Sequence, residues 1–521
     1  LCLPTSIVVR KCIIAMLNLK DAFASCECGS CDKCLGASGP ASDVPPPPGD
    51  PRDVQHLLEL GKASRQFAVE SKAEFESILT LLVEQASVTP GGGHDEECRC
   101  IASHAHEFFY SLGLEAWIEE TGGMPLIVAR CPPKAGAAKM NIVVYNHMDV
   151  MPASQEDGWS CEPFTLTKVA DATEGHLYFG RGATDDKGPA LTAVYGVLAA
   201  QKQGLLVDVT FVWELEEEIG SPNFTTGLAR IRERLPQRLD MCICSDTIWI
   251  SDMLPLVVET VRGSISFEVS LQTAEGEVHS GICGGVARNP LNELVRLGAE
   301  IADSNGLPRL SALQTPILRQ GRELLSDIFG SLTADSFKRD FGLHTLRTND
   351  PALILQRSWV EPCVEIIGIS GGYTGTGVKT AITPKASLKF NVRLVVPQDP
   401  DEVEQALRAF IAQQIPDAQV SVVGKMRPFD GRLSDLQRKA LRRAYTLGFG
   451  TAPAFGCVGG SIGVLTTLRR ELGVQVLLPS LSSPSQGYHG KDENYSWKRF
   501  EDGVVMYAAL LAELVDQHSK L

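Results

Sequence analysis

Three short apolar runs in this chain each end on ionisable side chains: NIVVYNHMD at 141–149, DVTFVWELEEE at 208–218 and MCICSD at 241–246. They have strand length, and they are too continuously apolar to alternate between core and solvent. Strands like these are buried on both faces, as in a parallel sheet covered by helices. Helical stretches separate them, among them PALTAVYGVLAAQKQG at 189–204. A parallel sheet brings its strand ends to one edge, and ligands of open α/β sheets bind in the crevice there. His147, Asp149, the acids 216–218 and Asp246 are therefore predicted to converge.

The chain has 521 residues, too many for one ordinary core, so two or more domains are expected. From about 52 to 112 the pattern is helical. Phe75, Ile78, Leu79, Leu82 and Val83 form one stripe, and HAHEFFYSLGL makes a second helix ended by Gly113. LIVAR at 126–130 reads as a further strand. After about 252 the texture changes: SISFEVSLQTAE and ASLKFNVRLV alternate with period two, and PLNELVRLGAEIAD and DEVEQALRAFIAQQI read as helices. Strand–helix–strand–strand–helix–strand on one antiparallel sheet is a compact α+β, ferredoxin-like unit. From about 431 long helices and the buried strand VQVLLPS complete the first domain. The expected architecture is α/β, a doubly wound, mostly parallel sheet built from 52–252 and 431–521, with an α+β domain inserted at 253–430.

Residues 1–51 stand apart as a leader. CECGSCDKC carries Cys26, Cys28, Cys31 and Cys34, and the Pro run at 45–50 marks a linker edge. Four close thiolates suit zinc, but structural zinc sites draw ligand pairs from separated segments, so a disordered leader is expected. The chain begins with Leu, and Met16 is a candidate start. The apolar CIIAML is crowded by Lys11, Lys20 and Asp21, which argues against a signal peptide. Fifteen cysteines, an odd count, point to a reducing compartment, and the cytoplasm is the expected location. With 48 Lys+Arg against 63 Asp+Glu the formal net charge is −15, and no basic stripe appears, so nucleic acid is not expected as a partner. No apolar run is long enough to span a bilayer.

His147 and Asp149 lie i, i+2 on an extended strand end and leave the same face, so Asp149 can orient the imidazole as for a metal-bound His. A surface His–Asp pair is the plainer reading. Asp185 and Asp186 open a helix in FGRGATDDKGP, and adjacent carboxylates repel unless a cation or a helix N-terminus offsets them. Glu216, Glu217 and Glu218 follow a buried strand, where three acids are costly without cations, although a solvated turn would also tolerate them. Asp246 alone reads as a turn or capping residue. Taken together, one His and several carboxylates on one sheet edge form the ligand set of a hydrolytic di-metal site, with Zn²⁺ accepting both donor types. His489, in QGYHGKDENYSW, is the best remaining imidazole.

NHMDVMP, GRGATDDKG, EEEIGS, SDTIW, HSGICGG at 279–285, GGYTGTGVKT at 371–380, RLV at 393–395, GGSIGV and the His489 segment occur in one order. In this the chain resembles the co-catalytic zinc metallopeptidases of family M20, which include carnosinase, cytosolic non-specific dipeptidase, aminoacylase and bacterial glutamate carboxypeptidase. GRGATDDKGP and SDTIWIS look most like the carnosinase and non-specific dipeptidase branch. The resemblance implies two Zn²⁺ per subunit, with Mn²⁺ or Co²⁺ also fitting. His147 and Asp246 would hold one metal, Glu218 and His489 the other, and Asp185 both. Asp149 would orient His147, and Glu217 would be the general base for a metal-bound hydroxide. His279 would be the lid histidine that reaches a partner subunit's site, which implies a homodimer with the inserted domain as lid and interface. Thr380, Arg393 and Ser461 would bind the substrate's free carboxylate.

Departures from the family pattern fall mostly near the substrate. Cys457-Val458 stands where Arg-Glu is usual, Gly463 where Pro is, Leu215 where Gly is, and Gly490-Lys491-Asp492 precedes Glu493. No ligand or base is lost. The expected function is hydrolysis of dipeptides or short peptides. The alternatives are an N-acyl-amino-acid deacylase and a non-catalytic metal-binding homologue.

Overall fold

The computed structural model describes residues 51–89, 91–314, 328 and 332–520. The leader and its four cysteines lie outside the described residues. Nine strands form the large sheet. Its centre runs Val207–Glu214, Met140–His147, Met241–Cys244 and Val476–Pro479, each parallel to its neighbour. Leu126–Cys131 and then Glu115–Glu119 extend it antiparallel on one side, and Leu256–Val261 on the other. Ala454–Val458 pairs parallel with Leu256–Val261, and Phe429–Asp430 antiparallel.

Alternate side chains of the central strands enter two cores. Ile142, Val144, Val209, Phe211, Trp213 and Ile243 face one layer of helices, while Val143, Tyr145, Val212, Cys242 and Cys244 face the other. Burial on both faces is why these segments are apolar at every position. The first layer includes Lys72–Val83, Gly188–Lys202 and Trp497–Ser519, and the second includes Phe224–Arg232 and Val464–Leu472. Lys72–Val83 buries Phe75, Ile78, Leu79, Leu82 and Val83, the stripe expected from the sequence.

The small domain is a four-stranded antiparallel sheet in the order Cys363–Gly371, Lys385–Leu394, Gly263–Gln272, Gln419–Met426. Helices Pro290–Ile301 and Pro400–Gln414 cover one face, capped by the side chains of Asn289 and Asp399. The chain order is strand–helix–strand–strand–helix–strand. Ile265, Phe267, Phe390 and Val392 point into the core beneath the helices, so Ser264, Ser266, Asn391 and Arg393 face the opposite way, towards the large domain. Strand pairing puts the first crossing between domains at Arg262 and the return between Met426 and Phe429, later than the texture change near 252. Gly263 is required there: a Cβ on it would lie 2.6 Å from both Met426 O and Pro428 N.

Candidate metal centre and substrate cleft

The carboxyl ends of the central strands carry the ionisable cluster. His147 ends its strand, and its Nε2 lies 3.0 Å from Asp185 Oδ1 and 3.8 Å from Asp246 Oδ2. On the other side, His489 Nε2 lies 2.8 Å from Asp185 Oδ2 and 3.2 Å from Glu218 Oε2. Asp185 therefore offers one oxygen to each imidazole. Two groups of candidate ligands result: His147, Glu217 and Asp246, and Asp185, Glu218 and His489.

The loops that present these side chains are held by other acids. Asp149 accepts the main-chain N–H of Glu217 at 3.1 Å and of Glu218 at 3.0 Å, and a hydrogen bond from the Thr89 hydroxyl. The nearest acceptor to His147 Nδ1 is the main-chain oxygen of Asp149 at 3.0 Å, with its carboxylate at 3.5 Å. Glu493, fully buried, accepts from the N–H groups of Gly182, Thr184 and Asp185 at 2.9, 2.9 and 3.0 Å, and from Arg181 at 2.8 Å. The Asp185–Asp186 peptide is cis.

These residues fit divalent cations. Asp185 and Asp246 are 3% and 4% exposed and Asp186 is 0%, so neither a surface acidic turn nor a solvated pair describes them. Asp186 Oδ1 is buried with no hydrogen-bond donor among the described residues. Burial, and then the charge of Asp246, pushes Glu217 well above the usual carboxyl range, and burial also raises Glu218 and Asp246. Against the opposing effect of burial, hydrogen bonds from His147 and His489 hold Asp185 low. Burial opposes charge on His489 too, yet its bonds to Asp185 and Glu218 push it up to about 11. The crowded carboxylates need positive charge beside them, and imidazole nitrogens and carboxylate oxygens are donors that zinc accepts.

A cleft of about 740 Å³ opens from this cluster. Asp185, Glu217, Glu218, Asp246 and His489 line one wall, and Ser264, Ser266, Asn391 and Arg393 of the small sheet line another.

Residues 143–513 match the profile of Peptidase family M20/M25/M40. The chain belongs to this peptidase family. The Beta-Ala-His dipeptidase of Rattus norvegicus is 30% identical over 392 residues, 73% of this chain and 78% of the relative. The Cys-Gly metallodipeptidase dug1 of Schizosaccharomyces pombe is 30% identical over 395 residues, 72% of this chain and 80% of that one. The fold is likewise that of the dipeptidase Dug1p from Saccharomyces cerevisiae, with a TM-score of 0.76 at 24% identity, covering 88% of this chain and 98% of the other. It is also that of human carnosine dipeptidase 1, with a TM-score of 0.74 at 24% identity, covering 90% and 100%.

Within this M20 chain the expected substrate residues separate into two sets. Arg393 lines the cleft and donates to Ser461 Oγ at 3.0 Å. Burial lowers its pKa, and no carboxylate among the described residues is paired with it. His279 and Thr380 are exposed and lie outside the cleft lining. The two neighbour each other at the edge of the small domain, where Ser280 donates to Thr380 O. Sequence reasoning passed over Tyr488, whose hydroxyl donates to Asp246 Oδ1 at 2.5 Å. Glu493 belongs to the segment that departs from the family pattern. Its signal was weak, because one acid among polar neighbours looks solvated until the fold buries it.

No helix among the described residues is long and apolar enough to cross a membrane.

Proposed function

We propose that this M20 chain is a two-metal dipeptidase. The observation that carries the reading is Asp185, whose two oxygens face His147 and His489 separately at the floor of a cleft that also holds Arg393. His147 and Asp246 would hold one cation, His489 and Glu218 the other, and Asp185 both. Zinc suits this donor set, and manganese or cobalt would also fit. Cations bound there would polarise the scissile carbonyl and acidify water. Glu217, beside His147 and Asp246, takes a proton from the attacking water and passes it to the leaving amine. Arg393, with Ser461, holds the substrate's terminal carboxylate, a task that suits a guanidinium. A cleft of about 740 Å³ is in the range that encloses a small ligand, and relatives named for Beta-Ala-His and Cys-Gly dipeptides support a dipeptide substrate. The exposure of His279 and Thr380 supports a homodimer in which His279 of the partner subunit completes the site and steadies the oxyanion. The buried thiols of Cys98, Cys131, Cys242, Cys244 and Cys457 support a reducing, cytoplasmic setting.

The test is metal-supplemented turnover of unblocked dipeptides, N-acyl amino acids and longer peptides, read by mass spectrometry, with Glu217→Ala as control. Cleavage of free dipeptides alone is the expected result. Cleavage of acyl compounds alone would make the chain a deacylase with the same metal residues. Silence on the whole panel, with two metals bound, would point to a substrate outside the panel or to a non-catalytic homologue.

A further inference from the structure

The dipeptide Tyr488-His489 touches both groups of ligands. His489 faces Asp185 and Glu218 at 2.8 and 3.2 Å, and the Tyr488 hydroxyl donates to Asp246 Oδ1 at 2.5 Å. Consecutive side chains on an extended segment diverge to opposite faces. Here they do not, because Gly487 and His489 have φ of 69° and 54°. The left-handed turn rolls both side chains onto one wall of the cleft and stacks their rings, with centroids 5.2 Å apart and planes at 23°.

The two oxygens of Asp246 are thereby made unequal. Oδ1 is taken by the phenol, while Oδ2 faces His147 Nε2 at 3.8 Å. We propose that Tyr488 is a positioning residue: it limits Asp246 to a single-oxygen contact with the cation shared with His147, and so keeps a place open on that cation. This rests on the two-cation reading above. A carboxylate with both oxygens free can rotate and close on a cation with the pair, whereas a short charge-assisted hydrogen bond ties one of them back. The same bond draws electron density out of the carboxylate and makes the cation a stronger Lewis acid. Glu218 has His489 beside it and no such phenol among the described residues, so the two cation positions are built unequal.

The full chain and Tyr488→Phe are titrated with Co²⁺, followed by visible absorption and by chelator competition. Phe keeps the ring and its stack on His489 and removes only the hydroxyl. The expected result is that two equivalents still bind, with one step tightened about 10–100-fold because both oxygens of Asp246 are then free to close on the cation, the other unchanged, and the visible band of the tightened step altered. Identical steps and spectra in the two proteins would overturn the proposal, and so would weakening of either step or an equal change in both. Adding Tyr488→Phe to Asp246→Asn gives a second reading. If Tyr488 acts through Asp246, the double variant titrates like Asp246→Asn alone; a further loss would overturn the proposal. Wild-type protein that binds fewer than two Co²⁺ would overturn the two-cation reading itself, and the role of Tyr488 with it.

Discussion

The main-chain N–H of Asp185 donates to the Glu493 carboxylate at 3.0 Å. Through that bond a residue far along the chain fixes where the central carboxylate of the cluster sits. Glu493 also takes N–H groups from Gly182 and Thr184 and pairs with Arg181, which is 4% exposed. Glu493→Gln leaves that arginine without a counter-charge and sets an amide N–H₂ against donors. Loss of one partner of a buried pair costs roughly 3–5 kcal/mol. The variant should therefore melt several degrees lower and retain less metal after dialysis. An unchanged Tm and metal content would show that the loop holds its shape by other means.

Glu217→Gln keeps the size of the side chain and removes its basicity. Turnover should fall about 10²–10⁴-fold while two metals stay bound, as measured by kcat and elemental analysis. Near-normal kcat would remove Glu217 from the role of base.

Arg393 sits in the cleft with Ser461 as its partner and, among the described residues, no carboxylate paired with it. Arg393→Ala should raise KM for unblocked dipeptides about 10–100-fold, the worth of a hydrogen bond to a charged group, with a smaller effect on kcat. C-terminally amidated peptides should be poor substrates of the wild type and no worse with the variant. Equal loss on both kinds of peptide would place the terminal carboxylate elsewhere.

Glu214 is 1% exposed, accepts from Ser221 at 2.7 Å and is hydrogen-bonded by Tyr145. Burial pushes its carboxyl up from 4.5 to about 8. A folded-state pKa above the unfolded one means that the folded protein holds the proton more tightly. That stability is present in full below about pH 4.5 and is lost as pH rises towards about 8, by up to about 1.4 kcal/mol per pH unit. Glu214→Gln, which retains an acceptor for both partners, should flatten the fall in Tm across this window. An unaltered Tm-versus-pH curve would show that Glu214 does not carry the proton.

Removal of metal should itself destabilise the fold. The buried acids Asp185, Asp186 and Asp246 crowd together with the half-buried Glu217 and Glu218, two imidazoles among them. Ligand binding to the folded state alone raises its stability, so chelator-treated protein should melt lower and recover on adding Zn²⁺. Equal Tm with and without chelator would count against cations at this cluster.

Much of this protein could be read from its chain alone. Strands buried on both faces must be apolar at every position, so 141–147, 208–214 and 241–244 declared themselves, and their polar ends marked the sheet edge. The stripe Phe75, Ile78, Leu79, Leu82 and Val83 likewise required a helix with one buried face. Strand Cys363–Gly371 did not declare itself, because it lies at the edge of its sheet, is largely exposed and carries a bulge between Ile366 and Gly368. Only the tertiary structure decided that Asp185 divides its oxygens between His147 and His489, that Glu493 is buried beneath it, and that Tyr488 reaches Asp246. Local sequence sets which face a side chain leaves and whether it prefers water. It carries no record of which distant loop arrives opposite, and at this site the imidazoles that face the Asp185 carboxylate come from positions as distant as 147 and 489.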